Sequence, residues 1–213
     1  MHIVTVEEMR ELEARAEREY GLTSPILMEQ AGKSAAELLA QQIRTQSTVS
    51  DQEFLLLIGP GNNGGDGLVI ARFLEEWGGK ISLYRWKERH LTIHGEEIVA
   101  AQTMTRLIDC IQCAQYIIDA LLGTGRARPL PDDMRKLLQR IQEEREKRAN
   151  VRIVAVDLPT GMNADTGEVD LGTIPADLTI TLACPKQGFF FFPARDYVGQ
   201  LLIGDIGLPA ELE

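Results

Sequence analysis

The sequence predicts an α/β fold: a three-layer α/β/α sandwich with a mainly parallel central sheet. Three observations carry this. Phe54–Ile58, Tyr116–Ala120 and Val151–Val156 are short, nearly unbroken apolar runs, the pattern of strands buried on both faces. Amphipathic helical segments lie between them, as right-handed βαβ crossovers require. Each of the three runs then leads into a turn rich in Gly, Asp or Pro, at the sheet edge where open α/β folds bind ligands.

The elements follow in order. Thr5 caps a first helix whose apolar stripe is Val6, Met9, Leu12 and Ala16. The rest of that helix is polar, which places it on the outside. Ser24-Pro25 starts a second helix, cap followed by proline, running to about Ile43. Its small residues Ala31, Gly32, Ser34, Ala35 and Ala36 predict close packing. The first strand, 54–58, leads into a glycine loop and then a helix with Ile70, Phe73, Leu74 and Trp77 on one face. Gly78-Gly79 ends that helix, and Lys80–Trp86 reads as a second strand. A weaker helix is expected over Ile93–Leu107 and a third strand over Tyr116–Ala120. Pro131-Asp132 opens a helix carrying Met134, Leu137, Leu138 and Ile141, whose tail Glu143–Arg148 is charged and solvated. Val151–Val156 is the fourth strand, and Asp177–Ala183 and Gln200–Ile206 are later ones. Phe189–Phe192 reads as core or dimer contact. No repeat, low-complexity tract or linker interrupts residues 1–213, so a single domain is expected.

The formal charge of −10 disfavours nucleic acid and anionic membrane surfaces as partners. It leaves open a small anion held by local backbone N–H groups. No apolar run approaches the roughly 20 residues of a membrane span, and the start has neither a basic n-region nor an apolar h-region. A cytoplasmic protein is expected. Cys110, Cys113 and Cys184 are odd in number, and the C-x-x-C at Cys110 has no second pair of soft ligands, so reduced thiols are expected rather than disulfide or zinc. His2, His90 and His94 fall outside the glycine and acid loops and read as surface residues.

Chemistry concentrates in those loops. Gly59-Pro60-Gly61-Asn62-Asn63-Gly64-Gly65-Asp66-Gly67 fits G-x-G-x-x-G between a strand and a helix. Glycine there permits left-handed backbone and close ligand approach. The residues after Gly64 are Gly65-Asp66, not the Lys-Ser/Thr of an ATP phosphate loop, and a carboxylate at the helix start would repel a phosphate. The second strand also ends without the acid of a dinucleotide site. The loop therefore suits hydroxyls, a cation or one shielded phosphate; the plainer reading makes Asp66 a helix cap. Asp119 ends the third strand before Gly123-Thr124-Gly125-Arg126. Asp157-Leu158-Pro159-Thr160-Gly161 ends the fourth. Convergent oxygens of this kind suit a hard cation or proton transfer. Lys186, after Cys184-Pro185, reads either as a phosphate or proton-transfer residue or as a surface lysine.

With these segments the chain resembles the YjeF N-terminal domain family, the NAD(P)HX epimerases. The matching stretches are Leu27-Met28-Glu29-Gln30-Ala31-Gly32, Gly59–Gly67, Asp119-Ala120-Leu121-Leu122-Gly123-Thr124-Gly125, Val156-Asp157-Leu158-Pro159-Thr160-Gly161 and Gly204-Asp205-Ile206-Gly207-Leu208-Pro209. They occur in family order along nearly the whole chain. The resemblance implies a Rossmann-like fold, commonly a homodimer, and interconversion of the R and S epimers of hydrated NADH and NADPH (NADHX and NADPHX). The functional partner it implies is a separate ADP- or ATP-dependent dehydratase specific for the S form, which this chain lacks.

By motif, substrate contacts fall on Asn62, Asn63, Gly64, Gly65, Asp66, Gly123, Thr124, Gly125, Arg126, Ala127, Arg128, Pro129 and Asp157. One potassium ion per subunit falls on Asn63, Asp119 and Thr160. The family usually has Ser at the position of Thr160; threonine keeps the hydroxyl and carbonyl and adds a methyl group. Arg126 and Arg128 are placed to pair with phosphates. Epimerisation at C6 of the reduced ring needs a proton donor and acceptor, by loss and return of water or by ring opening. Asp157 is the expected acid/base group and Lys186 the second candidate. Two other classes compete. One is a non-catalytic scaffold of the same fold, which the presence of both Asp119 and Asp157 disfavours. The other is a small-molecule kinase, which lacks its phosphate loop here.

Overall fold

The computed structural model describes residues 2–125, 129–148 and 150–212. Its elements are α1 (Val6–Tyr20), α2 (Ser24–Arg44), β1 (Glu53–Ile58), α3 (Asn62–Glu76), β2 (Lys80–Arg85), β3 (His90–Ile93), β4 (Glu96–Glu97), α4 (Thr103–Cys113), β5 (Tyr116–Ala120), α5 (Asp132–Lys147), β6 (Arg152–Val156), β7 (Leu178–Leu182), α6 (Arg195–Val198) and β8 (Gln200–Gly204).

The strands form one sheet in the order β4-β3-β2-β1-β5-β6-β7-β8. From β2 to β8 every pairing is parallel, and β3 and β4 add an antiparallel edge. The chain moves outward from β1 to β2 and then resumes on the other side of β1 with β5. The sheet's switch point therefore lies between β1 and β5, where loops leaving adjacent strands diverge and open a crevice.

Side-chain alternation along the strands divides the core. Leu55, Leu57, Ile117 and Ile153 face α4 and α5. Phe54, Leu56, Ile58, Ile118 and Val154 face α2 and α3. Both faces are covered, which is why the strands read as continuous apolar runs. The small-residue stripe of α2 does what the sequence predicts: a Cβ on Gly32 would fall 2.4 Å from Val69 Cβ, so α2 and α3 meet almost backbone to backbone.

Three local readings change. The cap of α2 is Thr23, without a side-chain bond, and Ser24 is already helical. The helix expected over Ile93–Leu107 is displaced: residues 90–97 form the β3/β4 hairpin and the helix starts at Thr103. Its turn, His94-Gly95, takes positive φ at both residues, as a two-residue hairpin turn demands. Of Phe189–Phe192, expected as core or dimer contact, only Phe189 is core: residues 187–190 form a 3₁₀ turn that buries it and leaves Phe190, Phe191 and Phe192 exposed. Among the described residues no helix is long and apolar enough to cross a membrane.

Candidate active site

The glycine loop is built more by packing than by backbone conformation. None of its glycines has positive φ, contrary to the sequence expectation. A Cβ on Gly59 would fall 1.7 Å from the carbonyl oxygen of Leu121, and one on Gly64 would fall 2.0 Å from that of Gly59. Both are backbone obstacles, so glycine is what lets α3 start directly against the ends of β1 and β5. Asn62, Asn63, Gly64, Gly65 and Asp66 then form the first turns of α3, capped by Gly61. Asp66 is the fifth helical residue, so the helix-cap reading is set aside.

This entry delivers Asn63 to the crevice. Its side chain packs on Gly123, whose Cβ position lies 3.3 Å from Asn63 Cγ. Both amide atoms of Asn63 are buried without a hydrogen-bond partner among the described residues. Asp119, 2% exposed at the end of β5, accepts from the Thr160 amide (2.8 Å), the Thr160 hydroxyl (2.7 Å) and the Leu121 amide (3.2 Å). The Thr160 hydroxyl in turn accepts from Leu122 N–H at 3.0 Å. Burial pushes the Asp119 carboxyl up, while the Thr160 donors pull it down. No side-chain cation pairs with it among the described residues. The buried Asp119 carboxyl without a counter-charge and the unpartnered Asn63 amide are groups that could hold a monovalent or other hard cation.

Asp157 follows β6 at φ +66°, a left-handed conformation that Asp tolerates better than most residues. It forms a buried ion pair with Lys186. Thr181 Oγ1 (3.3 Å) and Leu182 N–H (3.4 Å) donate to the same oxygen, Oδ1. The surface reading of Lys186 is overturned, since the residue is 1% exposed. The phosphate reading fails with it. An ammonium has three N–H donors, and those of Lys186 go to Asp157, Thr181 Oγ1 and the Leu182 carbonyl. All three donors of Lys186 are thus spent within the Asp157 corner. Its own backbone is held by Val4, which pairs with it in a parallel bridge.

Asp66, 7% exposed, lines a cavity of about 340 Å³ between α1, α2 and the start of α3. Burial first, then the negative charges of Asp157 and Glu13, push its carboxyl up to about 8, with Lys186 opposing. Glu13, Arg10 and Glu17 of α1 form the cavity's opposite wall, and Arg10 reaches the Thr124 carbonyl (3.4 Å). Glu13 is solvent-exposed as a residue, but in a recess where surrounding protein raises its carboxyl. The sequence reading missed these α1 residues. Their polarity looked like an ordinary solvated face, and only Ala14 and Ala16, small residues permitting close approach, hinted otherwise.

Of the second loop, Gly123 and Thr124 are half-buried, while Gly125 and Pro129 are exposed. Arg126, Ala127 and Arg128 lie outside the described residues. The far end of that loop is fixed by Asp170, which accepts from Leu130 N–H (3.1 Å), Gly172 N–H (2.8 Å) and Arg135 (2.9 and 2.7 Å). Arg135 holds the Asp170 carboxyl well below the usual carboxylate range. A carboxyl depressed by folding contributes stability above its unfolded value of about 3.9 and loses it as pH falls further. Asp170→Asn is therefore expected to flatten the fall in stability below about pH 4, as read from urea midpoints across pH.

The chain has named relatives. The chain is 33% identical to NAD(P)H-hydrate epimerase of Elusimicrobium minutum, covering 100% of this chain and 98% of that protein. It is also 33% identical to NAD(P)H-hydrate epimerase of Weissella koreensis, covering 98% and 94%. Against the bifunctional NAD(P)H-hydrate repair enzyme Nnr of Dictyoglomus turgidum it is 33% identical over its full length but spans only 41% of that relative. The crystal structure of yeast ynu0 shares the fold, with a TM-score of 0.71 at 22% identity, covering 95% of this chain and 87% of that one. The profile described as YjeF-related protein N-terminus matches residues 24–188, which include Asn63, Asp66, Asp119, Asp157, Thr160 and Lys186, and the chain belongs to that family.

Proposed function

We propose that this chain is an NAD(P)H-hydrate epimerase, interconverting the R and S forms of hydrated NADH and NADPH. The observation that carries the reading is the buried Asp157–Lys186 pair at the C-terminal sheet edge, coupled to the Asp66 cavity. Epimerisation passes positive charge through the ring, and fixed carboxylates in a recess stabilise such charge. In this reading Asp157 exchanges protons with the substrate and Lys186 fixes its orientation. Asn62–Asp66 and 123–129 cradle the substrate. A dehydratase acting on the S epimer is the metabolic partner, a homodimer the working assembly and the cytoplasm the compartment.

The test is a coupled assay. An S-specific dehydratase with ADP or ATP consumes the S form of mixed NADPHX until recovery of NADPH stalls. Adding this protein is expected to restart the absorbance rise faster than spontaneous epimerisation. A flat trace with folded protein would favour the scaffold reading.

Asn63, Asp119 and Thr160 are further proposed to hold one potassium ion per subunit. Bound there, potassium would supply the counter-charge that Asp119 lacks and tie the three loops together. A ligand that binds only the native state raises stability, by about 2.7 kcal/mol when present at a hundredfold excess over its Kd. The melting temperature is expected to be higher in potassium chloride than in choline chloride at equal ionic strength. Asn63→Ala should erase the difference.

A further inference from the structure

We propose that Asp66 is the catalytic acid of the epimerisation, giving its proton to the hydroxyl oxygen that leaves C6 of the substrate ring, while Asp157 takes the proton released when water returns. The inference rests on the epimerase reading and divides its chemistry between two carboxyls.

The surroundings of the two acids differ in kind. Asp157 Oδ1 accepts from an ammonium, a hydroxyl and an amide, an environment built for a carboxylate. Asp66 has no hydrogen-bond partner among the described residues, although it is 7% exposed. A carboxyl recessed in a cavity, without a donor to bond it, is more costly as an anion than as a neutral acid. The groups facing it reinforce this: Asp157 and Glu13 are negative, and Lys186, the opposing cation, is already bonded to Asp157. Arg10 and Glu17 complete the charged wall of the same cavity. One acid ringed by donors and a second set apart from them in the same recess is the arrangement that assigns different roles to the two. The resulting value near 8 keeps Asp66 mostly protonated at neutral pH, yet able to release its proton.

The step balances. The C6–O bond breaks with its electron pair on oxygen, the Asp66 proton makes that oxygen water, and the ring-nitrogen lone pair forms the C6=N bond. Water then attacks C6 from the opposite face, the C=N pair returns to nitrogen, and the surplus proton passes to Asp157. Exchange with solvent restores both carboxyls.

The test uses the coupled assay with wild type, Asp66→Asn, Asp66→Glu and Glu13→Gln. Asp66→Asn keeps a neutral group of the same shape but cannot donate an acidic proton. It is expected to lower kcat by about 10²-fold or more with KM within a few-fold, and Asp66→Glu to recover part of the rate. Wild-type kcat should fall above about pH 8 as Asp66 loses its proton. Glu13→Gln removes a charge that raises Asp66, so this alkaline limb should move to lower pH, which a merely structural role would not produce. An active wild type with Asp66→Asn within a few-fold of it, or an alkaline limb unmoved by Glu13→Gln, overturns the acid assignment alone. An inactive wild type removes the epimerase reading and the assignment with it.

Discussion

Asp157→Asn is expected to lower kcat by about 10²–10⁴-fold, the usual cost of losing a general acid or base. The substitution is well suited to the question. Residue 157 has φ +66°, and Asn is at ease in that region, so the backbone after β6 gains no strain. An amide oxygen can still accept from Thr181 Oγ1 and Leu182 N–H, as Asp157 Oδ1 does. What disappears is the negative charge and the capacity to take a proton. KM should therefore change much less than kcat, since the proposed substrate contacts at the α3 entry and residues 123–129 are left unaltered. A rate within a few-fold of wild type would show that residue 157 does no proton transfer.

Lys186→Met is expected to destabilise the protein by about 3–5 kcal/mol, because it leaves Asp157 buried without its cation. Methionine fills similar length with apolar atoms, so the loss reports the charge more than a cavity. The ammonium also donates to Thr181 Oγ1 and the Leu182 carbonyl, but that carbonyl keeps its bond from Cys184 N–H and Thr181 Oγ1 still donates to Asp157, so the loss falls mainly on the carboxylate's charge. The double variant Lys186→Met/Asp157→Asn should recover part of the loss, since no charge then remains unpaired. Urea denaturation of the four proteins closes the cycle. Additive losses would show that the two residues do not act as a pair.

The strands β1, β5 and β6 were legible because burial on both faces leaves an unbroken apolar run, and α3 and α5 because their apolar spacing matches the helical repeat. The β3/β4 hairpin was not. Its strands have four and two residues, too short for alternation to register, and its turn relies on His94 and Gly95, a pair outside the usual Asn-Gly signals. Lys186 was ambiguous for a related reason. A lysine after a strand reads as solvated unless its partners are known, and Asp157 lies 29 positions away.

The sequence by itself determined the family, the parallel α/β architecture, and the placing of Asp119 and Asp157 at strand ends and of Asn63 and Thr160 in the segments that follow strands, because those features are local in the chain. Only the tertiary structure decided what the charged groups do there. It left Asn63 without a partner among the described residues, spent every donor of Lys186 on the Asp157 corner, and brought Glu13 of α1 to face Asp66. Protonation states follow from burial and from neighbours distant in sequence, and these are fixed only once the chain has folded.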